Sequence, residues 1–279
     1  MCEFCTKHGE GKKWYLNAAN YSNDLLSDMN RRSFVSRHYY WLDDVYRKYF
    51  PLLCALPAGI PFVRQAVKMM LKRIYMYQHW GQVIPIEDVE RILSFVSSIT
   101  RVPCGCRMVT TGKEKRCCFL ISIDPSKTGL AEIVDQAYFG GPDVAKFEKV
   151  DKDFVIDYMY QSEREGMMHT VWAFKAPFIG GFCNCDAASG CMPMIMYKKI
   201  APVIFRSEYI AKRDIDMCNG CGACQGICPF GAISLNRADN KMVIDENLCY
   251  GCGICRTACR TKAIGLIERR ISSVANLWH

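Results

Sequence analysis

No apolar run in this chain is long enough to cross a bilayer. The most apolar one, Phe50 to Val63, is broken by Pro51, Pro57 and Pro61, whereas a spanning helix needs about 20 predominantly apolar residues. The opening Met1-Cys2-Glu3-Phe4-Cys5 has no basic segment followed by an apolar one, so no secretory signal is expected and a cytoplasmic location is. Neither a Gly-x-Gly-x-x-Gly fingerprint nor a P-loop occurs, which argues against a bound dinucleotide or ATP hydrolysis. Histidine is scarce, with five residues, none spaced from another as zinc ligands are. No basic stretch is interleaved with aromatics, so nucleic acid is not an expected partner.

What the chain has in excess is cysteine: eighteen in 279 residues. With 50% hydrophobic and 23% charged residues it can fill one large or two ordinary cores. It therefore has no need of the disulfide framework of a small secreted scaffold, and metal binding is the better expectation.

Helical spacing dominates up to about residue 100. Leu42, Val45, Tyr46, Tyr49 and Phe50 recur on one face, as do Val63, Ala66, Val67, Met70, Leu71 and Ile74 behind Pro61. A further helix is predicted over 86–99, with Glu87 and Asp88 near its N-terminal dipole. From Cys104 to about Ala201 the pattern mixes: Cys118 to Ile123 and Thr170 to Phe174 read as strands, and Asp153 to Glu165 as a helix stopped by Gly166.

From about Ser207 onward the sequence repeats itself after 31 residues. Cys218, Cys221, Cys224 and Cys228 recur as Cys249, Cys252, Cys255 and Cys259, and Gly220 and Gly222 as Gly251 and Gly253. Each half is C-x2-C-x2-C-x3-C, a spacing that lets one loop wrap three corners of a [4Fe-4S] cubane. The fourth cysteine, led away by a helix, ligates the other cluster. Cys218, Cys221, Cys224 and Cys259 are thus expected to hold one cluster, and Cys249, Cys252, Cys255 and Cys228 the second. Zinc ribbons use two separated CxxC knuckles instead. Residues Glu208 to Arg270 resemble the bacterial-type 2[4Fe-4S] ferredoxins, which implies low-potential, one-electron transfer. One departure is that Cys228 precedes the usual Pro229 whereas Cys259 precedes Arg260. Two oxidised cubanes would bring the formal charge of +8 to roughly +4.

Ten cysteines remain. Cys54, in an apolar run, reads as inert core. Pro103-Cys104-Gly105-Cys106-Arg107 and Phe182-Cys183-Asn184-Cys185-Asp186 are C-x-C pairs expected on turns, followed by Cys191. Cys104, Cys106, Cys183 and Cys185 could together hold a further Fe–S cluster or zinc. Buried free thiols and a redox-active dithiol are the alternatives. This arrangement resembles Cys-rich modules fused to ferredoxin domains in anaerobes. Cys117-Cys118 does not fit the heterodisulfide-reductase type of noncubane motif, since Phe119 stands where that motif has glycine. Cys2 and Cys5, with His8 nearby, either share a metal with the middle domain or dock on a partner or core.

The expected class is α+β: a helical N-terminal region (1–100), a Cys-rich α/β middle domain (101–206), a C-terminal ferredoxin-like (ββα repeat) dicluster domain (207–270) and a tail (271–279). The expected function is an iron–sulfur electron-transfer protein or subunit relaying single electrons to or from a redox partner, a flavoprotein or metalloprotein, rather than a stand-alone enzyme. The alternatives are an oxidoreductase whose middle domain holds a reactive cluster or dithiol, and a structural or regulatory iron–sulfur protein.

Overall fold

The computed structural model describes residues 13–41, 47–55, 61–126, 129–134, 147–200 and 203–278. The chain terminus with Cys2, Cys5 and His8, and the helical positions Leu42, Val45 and Tyr46, lie outside the described residues.

The architecture is α+β. Three short 3-10 turns, Trp14–Leu16, Ala18–Tyr21 and Asn23–Ser27, precede helices α1 (Met29–Trp41), α2 (Arg47–Cys54) and α3 (Pro61–Gln78). Strand β1 (His79–Ile84) follows α3 directly, then α4 (Ile86–Phe95), β2 (Ser98–Val102), α5 (Gly105–Thr111), β3 (Cys118–Ser122), β4 (Glu148–Lys149) and α6 (Lys152–Arg164). Strands β5 (Met168–Phe174) and β6 (Ile179–Cys185), helix α7 (Met192–Lys199) and β7 (Ile204–Phe205) complete this part. The all-helical reading of residues 1–100 is corrected here: β1 and β2 belong to one seven-stranded sheet of order β4-β2-β3-β6-β5-β1-β7. Every neighbouring pair is antiparallel except β1 and β7. The period-two signal is weak in β1 because nearly all its residues are buried, so both faces carry core residues.

Helix α4 starts after Pro85 with Glu87 and Asp88 in its first turn, and buries Ile86, Val89, Ile92 and Leu93. Helix α6 is capped by the Asp151 side chain, which accepts from the Phe154 N–H, and Gly166 follows its end at φ +78°. Together these helices cover one face of the sheet, against Ile84, Ile99, Phe119, Ile121, Val171 and Phe182. The other face carries Val83, Val102, Cys118, Leu120, Trp172 and Phe174, a core that also includes Val35 and Phe50 from α1 and α2. Helix α3 joins it at Leu71, while Met69, Met70 and Ile74 remain exposed.

The C-terminal module contains β8 (Tyr209–Arg213), α8 (Ala223–Ile227), β9 (Ile233–Asn236), β10 (Lys241–Ile244), α9 (Cys255–Ala258) and β11 (Ile264–Glu268). Each half therefore runs strand, cysteine loop, helix, strand instead of the expected ββα order. Strand β8 pairs with β11 from the other half, and β9 with β10 closes the centre. The module is anchored to α4 by Arg256, whose guanidinium makes a two-pronged ion pair with Glu87 (Nη2 to Oε2 2.9 Å), and by Tyr209 Oη donating to Asp88 (3.3 Å). No helix among the described residues is long and apolar enough to cross a membrane.

Candidate functional site: two cysteine-lined cavities and a third thiol centre

The 31-residue repeat folds into two small cavities. Cys218, Cys221, Cys224 and Cys259 line the first, among Met242, Ile244, Ala263 and Ile264. Cys228, Cys249, Cys252 and Cys255 line the second, among Phe230, Ile233, Tyr250 and Ile254. Each cavity thus takes three cysteines from one loop and the fourth from the other half. The third cysteine of each motif lies in a short helix, and Cys228 and Cys259 stand at the C-caps, where the chain leaves the helix extended.

Backbone N–H groups are aimed at these sulfurs in matching positions. Ala232 N–H donates to Cys228 (3.4 Å) and its repeat counterpart Ala263 N–H to Cys259 (3.3 Å), while Ala211 N–H reaches Cys249 (3.5 Å). Gly220 and Gly251 sit at φ +72° and +71°. A Cβ at Gly251 would overlap the carbonyl of Tyr209, and one at Gly220 the carbonyl of Asn240, so only glycine lets the loops close this tightly. Burial and neighbouring thiols oppose ionisation at Cys224 and Cys255, whereas at Cys218 burial is outweighed by N–H donors of Met242 and Gly220 and by Arg213, and its pKa is lowered. Burial, then the charges of Cys249 and Cys228, push the Cys255 thiol up to about 12. Cys224 is raised by burial and then by Cys259, Cys218 and Cys221. Such quartets ionise together only with a cation between them, and the thiol-only donor set, apolar walls and N–H···S contacts fit an iron–sulfur cubane.

The middle domain holds a third gathering of thiols, larger than the sequence suggests. Cys104 caps α5 and Cys106 lies in its first turn. The expectation of a turn for Cys183 and Cys185 is corrected, because both lie in β6. Their i, i+2 spacing places them on one sheet face, and Cys183 pairs directly with Cys118 of β3. Cys117 precedes β3, and Cys191 caps α7. The Sγ atoms of Cys104, Cys117 and Cys118 all lie within 4.8 Å of one another. Cys104 is held well below the usual thiol range by hydrogen bonds from Cys106, Cys117 and Cys118. Contact with Cys185 and burial push Cys191 upward. Seven cysteines therefore meet where four were expected, Cys117, Cys118 and Cys191 being the additions.

Arg107 brings a buried cation against these sulfurs. Only 2% exposed, it donates through Nη1 to Cys117 Sγ (2.7 Å), Cys104 Sγ (3.4 Å) and the Asn184 carbonyl (3.1 Å). Nη2 pairs with Asp186 (3.2 Å) and Nε donates to Ser189 Oγ (2.6 Å). Beside the thiols lies an apolar cavity of about 90 Å³, walled by Cys104, Cys106, Cys118 and Cys183 on one side and by Trp172, Phe174, Met192 and Met196 elsewhere, with His38 and His79 also lining it. Burial brings the His79 pKa down to about 4, so its ring is neutral near pH 7. Cys54 packs against the same core as an ordinary apolar side chain.

Residues 217–263 match the family described as 4Fe-4S dicluster domain. A protein described as a probable ferredoxin, from Methanosarcina thermophila, is 47% identical over 38 residues, which are 14% of this chain and 64% of that protein. This chain thus spans somewhat under two thirds of that relative's length. The C-terminal segment is a 4Fe-4S dicluster domain, fused here to the sheet domain with its seven-cysteine nest.

Proposed function

We propose that this chain is an iron–sulfur electron-transfer protein or subunit that relays single low-potential electrons to or from a redox partner, a flavoprotein or metalloprotein, in the reducing cytoplasm. Cys218, Cys221, Cys224 and Cys259 hold one [4Fe-4S] cluster, and Cys228, Cys249, Cys252 and Cys255 the other. The observation that carries this reading is the pair of four-cysteine cavities, each built from both halves of the repeat. Bound clusters supply one-electron chemistry, and the chain's own residues hold, insulate and tune them. Arg206 and Arg269 donate to the Cys249 carbonyl (each 3.0 Å) and fix that loop. Cys221 is exposed whereas Cys249, Cys252 and Cys255 are buried, so the first cavity is the face a partner reaches.

Iron and acid-labile sulfide on anaerobically purified Cys221→Ala test the assignment. The variant should lose about four of the roughly eight irons that two cubanes hold, with the second cluster's electron paramagnetic resonance signal retained. A fully loaded variant would refute it. Sustained turnover of a two-electron substrate by the isolated chain, supplied only with a one-electron reductant, would favour the enzyme reading.

A further inference from the structure

The seven-cysteine nest lies outside the dicluster segment, and its geometry differs from both an ordinary core and a zinc staple. We infer that it holds a third, thiolate-ligated iron–sulfur cluster, with Cys104, Cys106, Cys118 and Cys183 as its ligands. These are the four cysteines that wall the 90 Å³ cavity. Cys185, expected from its spacing to belong to the set, does not line that cavity and contacts Cys191.

The two ferredoxin cavities serve as a standard within the same molecule. Each has four cysteines on apolar walls and a volume of about 20 Å³. The third has the same donor set on similar walls and several times the room. A structural zinc draws four ligands to about 2.3 Å and leaves a closed tetrahedron. A cavity beside the thiols, with further cysteines behind them, matches a polynuclear cluster better.

The second layer points the same way. Arg107 directs an N–H at the sulfur of the ligand Cys104 (3.4 Å), makes its shorter contact to Cys117 (2.7 Å), which stands behind the set, and is itself fixed by Asp186, Ser189 and the Asn184 carbonyl. Hydrogen bonds to ligand sulfur and a fixed cation are the means by which a protein offsets the negative charge of a cluster and sets its potential.

Placement supplies the remaining argument. Helix α7 runs from the nest to the dicluster segment: Met192 and Met196 line the third cavity, and Tyr197 meets Phe230 and Tyr250 edge-on, with ring centroids 5.4 Å apart in both pairs. Phe230 and Tyr250, stacked at 4.0 Å, wall the second ferredoxin cavity. One continuous core therefore joins Cys104, Cys118 and Cys191 to Cys252, and a redox centre here would be wired to the buried side of the ferredoxin module. A zinc staple would gain nothing from that position.

The test is metal and sulfide analysis, with electron paramagnetic resonance, on the full chain purified anaerobically. Wild type should carry roughly twelve irons, as three cubanes hold. Cys118→Ser and Cys183→Ser should each lose about four of them while the two ferredoxin signals persist, and Cys185→Ser should keep its full complement. Those persisting signals show that a variant has folded. About eight irons in wild type, about one zinc per chain removed by Cys118→Ser, or iron loss in Cys185→Ser with none in Cys118→Ser would each overturn the assignment. Cys221→Ala, analysed alongside, fails independently if the ferredoxin reading is wrong.

Discussion

Replacing Gly251 by alanine isolates how tightly the second cluster loop must close. Two penalties combine at this position. Its φ of +71° is a left-handed conformation that costs an L residue about 1–2 kcal/mol. The new Cβ would also stand closer than 3.0 Å to the carbonyl oxygen and carbon of Tyr209. That backbone is tied into the β8–β11 pair and accepts from Arg269 Nη2 (2.9 Å), so it yields poorly, and such overpacking costs about 1–3 kcal/mol. The total is about 2–5 kcal/mol, a large part of the stability of an ordinary domain. Gly222 provides the control: its φ is +77°, but nothing lies within 4 Å of a Cβ built there. Gly222→Ala should therefore cost only the conformational part, about 1–2 kcal/mol. Urea unfolding followed by cluster absorbance on anaerobic protein, together with iron content, reads both. Gly251→Ala should unfold at clearly lower urea and lose iron from the Cys228, Cys249, Cys252 and Cys255 site. Equal midpoints for the two variants would show that the loop has slack and that its glycine serves conformation alone.

Two smaller perturbations test how the ferredoxin module is attached. Burial and a partner's hydrogen bonds act oppositely on Glu87, and the Arg256 contact prevails, holding its carboxyl below the usual value of 4.5. Its contribution is thus present above about pH 4.5 and lost as pH falls through the lowered pKa. Glu87→Gln should cost about 0.5–1 kcal/mol at neutral pH, because the pair is half-exposed. The difference from wild type should shrink in high salt and below about pH 4.5; a salt-independent loss in urea titrations would mean that packing matters there, not charge. Tyr197→Leu removes both edge-on aromatic contacts of α7 and should lower stability by about 1–3 kcal/mol, at about 0.5–1.5 for each pair. Hydrogen exchange should then quicken in α7 and in the loop of Tyr250 together, and quickening in α7 alone would break the proposed link.

The cysteine quartets of the ferredoxin module were legible because everything that forms them is local. Three cysteines fall within seven residues, the glycines between them mark positive φ, and the repeat supplies the fourth by symmetry. The middle centre was legible only as a suspicion. Cys118 meets Cys183 through strand pairing, and a one-residue change of register would have sent Cys118 to the opposite face. Nothing in Cys118-Phe119-Leu120 declares which face is which until Phe119 is seen against Tyr158 of α6. Cys191 reads in the sequence only as following the second C-x-C pair, yet as the N-cap of α7 it is fixed beside Cys185. The strand His79–Ile84 was missed for a related reason. It continues from α3 with no intervening glycine or proline, and its neighbours β5 and β7 come from far along the chain.

Charge explains why the middle nest is assembled around Arg107 and not around thiols alone. A dry core resists ionisation of thiols: Cys106, Cys118 and Cys191 are all raised well above their ordinary range, Cys106 and Cys118 chiefly by their contacts with Cys104 and Cys191 chiefly by its contact with Cys185, with burial adding to each. Cys104 takes the opposite course because its neighbours donate to it and Arg107 faces it. Arg107 is already ion-paired with the buried Asp186 (3.2 Å), so it offsets a thiolate at Cys104 only in part. A quartet of thiolates asks for more, since an arginine shared with Asp186 cannot offset the charge their protons leave behind. If the third cluster inferred above forms, its assembly releases thiol protons and so strengthens as pH rises, with Arg107 held beside Cys104 and Cys117 by Asp186, Ser189 and the Asn184 carbonyl.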